Sequence, residues 1–233
     1  MNTYISKTEK KKEFTIMLDA HLDEVGFMVQ SITSKGLIKL LALGGWVPHN
    51  VPAHLVAIKT NDGSYINGIV TSKPPHFMTS DEKNKKLDIE DLTIDVGAST
   101  REEVLEVYNI SIGAPIVPFT NFEYNKKTNI MMGKAFDNRL GCAAVISVIK
   151  NIPELEHINV IGALAVQEEV GTRGAMVTAR KVKPDLAIVF EGTPADDVYL
   201  DDSLAQGILG KRPQIRFRDS SYVAHHKFID LPI

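Results

Sequence analysis

Two hydrophobic patterns alternate along this chain. Between about Phe27 and Phe122, apolar residues come in short runs at 27–32, 37–41, 55–58, 65–70 and 92–96. Turn formers such as Ser34-Lys35-Gly36 and Asn61-Asp62-Gly63 separate them, which predicts antiparallel hairpins. The polar stretch 79–88 predicts an exposed loop. Ser99 or Thr100 is placed to cap a short helix through Tyr108, with Glu102 and Glu103 in capping-box positions. Outside this segment the pattern changes. Continuous apolar runs at 14–18, 160–166 and 186–190 predict strands buried on both faces, as in parallel sheets. A helix is predicted from Asp137 or Asn138 to about Lys150, built on Leu140, Ala143, Ala144, Ile146, Val148 and Ile149, and another at about 173–181. Strands at 158–166 and 185–190 complete a βαβ-type succession. The expected fold class is therefore α/β. The expected domains are a first part of an α/β domain at 1–26, an inserted β domain at 27–122, and the second α/β part at 123–233.

Each continuous run ends in residues able to bind a metal. The first leads into Asp19-Ala20-His21-Leu22-Asp23-Glu24, the second into Gln167-Glu168-Glu169, and the third into Glu191. Ligand sites in parallel sheets lie outside the carboxyl ends of the strands, so these residues are expected to meet at one edge. A His with several carboxylates is a charge cluster that divalent cations neutralise. His21, Asp137, Glu169 and Glu191 form a candidate ligand set for two ions, which need a bridging carboxylate and terminal His or carboxylate ligands. Asp137 opens a helix, where it can cap and bind metal together. If strand geometry persists, Glu168 and Glu169 point in different directions, leaving one free to take a proton from water. Asp23 is placed to orient the His21 imidazole through its carboxylate.

Bulk properties narrow the field. The 233 residues are 44% hydrophobic and 24% charged, an ordinary globular composition. A net charge of -3 gives no case for nucleic acid, which calls for a basic face. No apolar stretch is long enough to span a bilayer, and residues 1–13 are polar and Lys-rich without a signal-peptide core. The single Cys142 cannot form an internal disulfide, which fits a reducing, cytoplasmic setting. Its small neighbours suggest a packed residue rather than a reactive thiol. Lys10, Lys11 and Lys12 read as a solvated run, and Trp46 after two glycines as a packing anchor.

Asp19-Ala20-His21-Leu22-Asp23-Glu24-Val25-Gly26, Ala135-Phe136-Asp137-Asn138-Arg139 and Gln167-Glu168-Glu169-Val170-Gly171-Thr172-Arg173-Gly174-Ala175 together resemble the M42 family of metalloaminopeptidases. That family includes glutamyl and deblocking aminopeptidases, TET peptidases and proteins labelled endoglucanase or cellulase M. Leu43-Gly44-Gly45-Trp46 and Ser72-Lys73-Pro74-Pro75-His76 resemble its inserted domain, so the likeness runs from about Phe14 to about Gly210. It implies a zinc-peptidase-like α/β/α sandwich with an inserted antiparallel, PDZ-like β-barrel. It also implies removal of N-terminal residues from peptide substrates, and two zinc or cobalt ions per subunit. By this resemblance His21 and Glu191 bind one metal, Asp137 bridges, Glu169 binds the second, and Glu168 is the general base. A homo-oligomer joined through the β domain is implied too, with no nucleic-acid or membrane partner. Family members have more residues before the first strand and a further strand-and-helix portion that carries the last His ligand of the second metal. No matching motif occurs here, and His225 and His226 stand in a different context. The resemblance therefore implies a chain truncated at both ends with an incomplete second metal site.

Three functions follow as expectations. The first is a metal-dependent aminopeptidase. The second is a catalytically impaired homologue acting as a partner-dependent subunit. The third, glycoside hydrolysis, needs two carboxyls about 5–9.5 Å apart flanking the bond and no obligatory metal; the His-x-Asp loop and adjacent Glu pair argue against it.

Overall fold

The computed structural model describes residues 1–7, 13–201, 203–211 and 213–230. Met1–Glu191 and Gly192–Ile233 are two compact units. The Lys10-Lys11-Lys12 run lies outside the described residues.

The first unit opens with β1 (Thr3–Ser6) and β2 (Phe14–His21). A closed antiparallel barrel follows, made of β3 (Gly26–Ile32), β4 (Ile38–Leu43), β5 (Leu55–Lys59), β6 (Tyr65–Thr71), β7 (Thr93–Asp95) and β8 (Pro115–Pro118), in the order β3-β4-β7-β6-β5-β8. Strand alternation sends Phe27, Val29, Leu40, Ile58 and Ile94 into its core. Trp46 stacks on Phe27 with ring centroids 4.4 Å apart and donates Nε1–H to the Gly26 carbonyl. It is the anchor its position suggested. Gly68 in β6 is required by close approach, because a Cβ there would lie 2.5 Å from Ile94 Cγ2. Sequence pattern gave no sign of β8. Its two prolines stand at its ends, where a missing N–H costs the ladder least, and pairing with both β3 and β5 makes it the strand that closes the barrel.

Two connections differ from expectation. The 79–88 stretch is mostly exposed but is not all loop. It contains the helix α1 (Ser80–Asn84), held by a capping box between Thr79 and Glu82. The helix after Thr100 starts as foreseen, with Glu103 N donating to Thr100 Oγ1, but widens into a π-turn at Glu103–Val107.

A hairpin of β9 (Glu123–Asn125) and β10 (Ile130–Met132) leads into α2 (Phe136–Asn151). Then come β11 (Ile158–Ala165), α3 (Arg173–Val182) and β12 (Leu186–Val189). The sheet order is β1-β11-β2-β12; β11, β2 and β12 run parallel, and β1 is antiparallel to β11. Residues 1–13 read as a polar lead-in, yet Thr3–Ser6 forms an edge strand. The open edge of β11, a tertiary feature, recruits a segment with no strand pattern of its own. Leu18 and Ala20 of β2 pack with Cys142, Val145 and Ile149 of α2. Asp19, between them, turns to the other face and meets Thr178 of α3. The fold class is thus mixed α/β with a closed six-stranded antiparallel barrel, as expected.

Burial on both faces holds for only part of the three runs. Met17 to His21 and Gly162 to Ala165 are buried. In β12, Ile188 and Val189 are exposed at 45% and 61%. Among the described residues β12 is an edge strand of the sheet, at the end opposite β1.

The second unit is largely irregular. Asp196 Oδ1 accepts the N–H groups of Gln206 and Gly207 at 2.9 Å each, and a short α4 (His226–Ile229) lies near its end. His225 and His226 stack on one another at 4.9 Å and are exposed. No described helix is long and apolar enough to cross a membrane.

Candidate metal centre

Strand register assembles the site. β2 and β11 end level, with His21 opposite Ala165. Val189 of β12 lies opposite Asp19, and Phe190 N donates to the Asp19 carbonyl at 2.8 Å, which brings Glu191 alongside His21. All three strands are parallel, so the residues after their carboxyl ends share one edge.

Asp137 reaches this edge from the start of α2. Its side chain does not cap the helix, contrary to expectation: Asp137 Oδ1 lies 3.0 Å from His21 Nε2 instead. Asn138, buried, does the capping. Its Oδ1 accepts from Gly141 N at 3.2 Å, while its Nδ2 donates to the Phe190 carbonyl at 2.7 Å. One amide thus ties the stretch bearing Asp137 to the strand end bearing Glu191. A Cβ on residue 141 would collide with Asn138 Oδ1, so Gly141 is needed for that cap.

His21 Nε2 lies 3.0 Å from Asp137 Oδ1, 3.3 Å from Glu191 Oε1 and 3.7 Å from Glu168 Oε2. One donor atom each from His21, Asp137 and Glu191 lie within 4.8 Å of one another. On the ring's far side Nδ1 lies 3.0 Å from the Asp23 carbonyl oxygen. A carbonyl only accepts, so Nδ1 carries a proton and Nε2 is left to face the carboxylates. Asp23 therefore orients the imidazole through its backbone; its carboxylate stands 3.7 Å away. That carboxylate instead accepts the N–H groups of Glu168 and Glu169 at 3.1 and 3.2 Å. Extended geometry does not persist to these residues. β11 ends at Ala165, Gln167 has φ 60°, and the chain turns so that Gly171 N and Thr172 N reach the Glu168 carbonyl. Asp23 sets the direction of the Glu pair in place of strand alternation. Glu168 and Glu169 both fall outside the three-residue group; Glu168 points toward His21, with Oε2 3.7 Å from Nε2, and Glu169 is close enough for the charge of Asp137 to be felt.

The surroundings of these groups leave the cluster short of positive charge. Burial alone would lower the His21 pKa, but the hydrogen bond and charge of Glu191, then the charge of Glu168, raise it to about 9. Burial and then the charge of Glu191 push Asp137 up. Burial likewise raises Glu168, where Glu191 adds to it, and Glu169, where Asp137 does. Asp19, buried beneath the site, is raised to about 6 mainly by desolvation, relieved in part by a 3.4 Å hydrogen bond from Thr178 Oγ1 and by the charge of His21. A nitrogen and several oxygens converging in this way, all wanting a nearby cation, are the mixed donor set that borderline divalent ions accept. His21, Asp137 and Glu191 fit such an ion.

Sequence pattern missed several contributors. Asn138 could be seen only as an alternative helix opener. Glu24 accepts from Lys134 Nζ at 2.6 Å across 110 positions of chain, a link no local signal carries. Cys142 is packed, as expected, with Sγ 3.0 Å from the His21 carbonyl.

A cation-seeking cluster of one His and several carboxylates, at the carboxyl ends of a parallel sheet that is joined to a β-barrel, defines a class of metal-centre α/β proteins. The chain belongs within it to the M42 glutamyl aminopeptidase family, whose model matches residues 2–231. It is 37% identical to the putative aminopeptidase FrvX of Escherichia coli (strain K12), over 90% of this chain and 58% of that protein. It is 33% identical to the glutamyl aminopeptidase of Lactococcus lactis subsp. cremoris (strain MG1363), over 95% of this chain and 61% of that protein. Among solved structures, the TET aminopeptidase of the marine-sediment archaeon Thaumarchaeota archaeon SCGC AB-539-E09 superposes with a TM-score of 0.81 at 36% identity, over 90% of this chain and 59% of the other. The chain spans about six tenths of the length of the curated relatives it matches.

Proposed function

We propose that this chain carries the metal-binding and proton-transfer residues of an aminopeptidase. The observation that carries the reading is His21 Nε2, held by the Asp23 carbonyl and aimed at Asp137, Glu191 and Glu168. In it, His21, Asp137 and Glu191 hold one divalent cation, zinc or cobalt. Asp137 and Glu169 would hold a second. When bound, such ions polarise the scissile carbonyl and lower the pKa of the attacking water. Glu168 accepts that water's proton on its carboxylate and returns it to the departing amine. Burial raises its pKa above the ordinary Glu range, which favours holding a proton before returning it. The acidic surroundings favour a positively charged group, which matches a peptide's free α-amine. Asp23 fixes the base rather than touching substrate, since its carboxylate is occupied by the Glu168 and Glu169 amides.

A homo-oligomer belongs to the same reading, with the barrel, residues 27–122, supplying subunit contacts. The related Pyrococcus horikoshii TET1 peptidase assembles into a tetrahedron or a large octahedral shell. A cytoplasmic setting also belongs to it, with Cys142 buried and unpaired in a disulfide sense.

The test is hydrolysis of Glu-, Lys- and Leu-p-nitroanilides by the purified chain, with Co²⁺ or Zn²⁺ and with a chelator. Glu168→Gln is expected to lower turnover by roughly 10²–10⁴-fold, the usual worth of general-base catalysis, while leaving cation binding intact. Hydrolysis that survives the chelator, or that is unchanged in Glu168→Gln, would refute the reading.

A further inference from the structure

Asp137 is poorly held by its own surroundings. Its side chain is 59% exposed. The chain before it passes through Ala135 at φ 57°, and the first regular helical turn comes only after Asn138. Asn138 fastens the back of this stretch, but nothing in the helix itself aims the Asp137 carboxylate at His21.

The front of the stretch is held by charge. Glu24, three residues after His21, has a side chain only 10% exposed. Its Oε1 accepts from Lys134 Nζ at 2.6 Å, and Arg139 Nη2 lies 3.5 Å from the same oxygen. Arg139 Nε also donates to the Leu22 carbonyl at 3.3 Å. Lys134 precedes Asp137 by three residues and Arg139 follows it by two, so the clasp grips the Asp137 stretch on both sides. All three contacts run to the loop that continues from His21. A seventh carboxylate beside Asp19, Asp23, Asp137, Glu168, Glu169 and Glu191 adds repulsion to a crowded anionic site. Two cations, Lys134 and Arg139, meet it there.

We infer that Glu24 is a positioning residue. Through Lys134 and Arg139 its carboxylate sets the Asp137 stretch against the His21 loop and so sets the affinity of the centre for a divalent cation. The inference rests on the reading of His21, Asp137 and Glu191 as a cation site.

The experiment is Co²⁺ binding to the full chain by calorimetry and by the visible absorption of the bound ion, for the parent, His21→Ala, Glu24→Gln, Lys134→Gln and the Glu24→Gln/Lys134→Gln double variant. Contacts that orient metal ligands are worth 10–100-fold in affinity. Glu24→Gln and Lys134→Gln are each expected to weaken binding by about 10-fold or more and to shift the absorption band. Because both act through one contact, the double variant should lose no more than the weaker-binding single variant. Lys134→Gln removes the other, partly exposed end of the pair and so guards against a folding defect in Glu24→Gln. Affinity and absorption equal to the parent in both single variants, or losses that add in the double, would overturn the inference alone. A parent that binds Co²⁺ no better than His21→Ala would overturn the cation-site reading and the inference with it.

Discussion

A cation that binds His21 must first displace a proton, and this can be counted. In the cation-free protein the imidazole titrates at about 9 rather than 6.5, because Glu191 and Glu168 outweigh the effect of burial. At pH 7 only about one molecule in 100 then has a neutral ring, since each pH unit below the pKa is a factor of ten. Affinity at pH 7 should therefore lie about 100-fold below its alkaline limit, a difference of about 2.7 kcal/mol at 1.36 kcal/mol per pH unit. Between pH 7 and 8.5 the affinity for Co²⁺ should rise close to tenfold per unit. At pH 7 about one proton should leave for each ion bound. Calorimetry in buffers of different ionisation enthalpy gives the proton count, and competition with a chelator gives the affinity. The linked stability has a definite sign. A folded-state pKa above the unfolded value means that protonated His21 stabilises the cation-free fold fully below pH 6.5, by roughly 3 kcal/mol. That contribution is lost as pH rises through about 9. Affinity flat from pH 7 to 8.5, together with no proton release, would show that His21 is neutral before the ion arrives and would refute the argument.

Two substitutions test the scaffold behind the site. Asn138→Leu strands the Phe190 carbonyl and the Gly141 amide, both served now by one buried side chain. About 1–3 kcal/mol should be lost for each group left buried without a partner, read from urea denaturation, and cation affinity should fall with it. Gly162→Ala places a Cβ 2.7 Å from Val145 Cγ1 and 3.3 Å from Ile149 Cγ1, where β11 meets α2. Overpacking of this kind costs about 1–3 kcal/mol, and an unchanged denaturation midpoint would mean that α2 can move away freely.

Local pattern carried the parts of this molecule that local physics governs. Continuous apolar runs marked β2 and β11, and helices were expected where α2 and α3 form. Glycine and Asn-Asp-Gly turns marked the barrel hairpins β3–β4 and β5–β6. Residues standing just past those runs marked His21, Glu168, Glu169 and Glu191. β1 and β8 were missed because each is a strand only by virtue of an edge that another strand offers. The exposed face of β12 was misread for a related reason: burial depends on what lies beside a strand, which its own residues do not encode.

Composition and periodicity were thus sufficient for the main strands and helices and for the edge of the sheet where the chemistry gathers, because hydrophobic spacing and turn residues act over a few positions. Long-range contact was needed to aim the carboxylates. The Asp23 carboxylate turns the Glu pair, the Asn138 amide joins α2 to the end of β12, and Glu24 reaches Lys134 across 110 residues. Such pairings are set by the register of parallel strands and the packing of one helix, and they exist only once the chain has closed on itself.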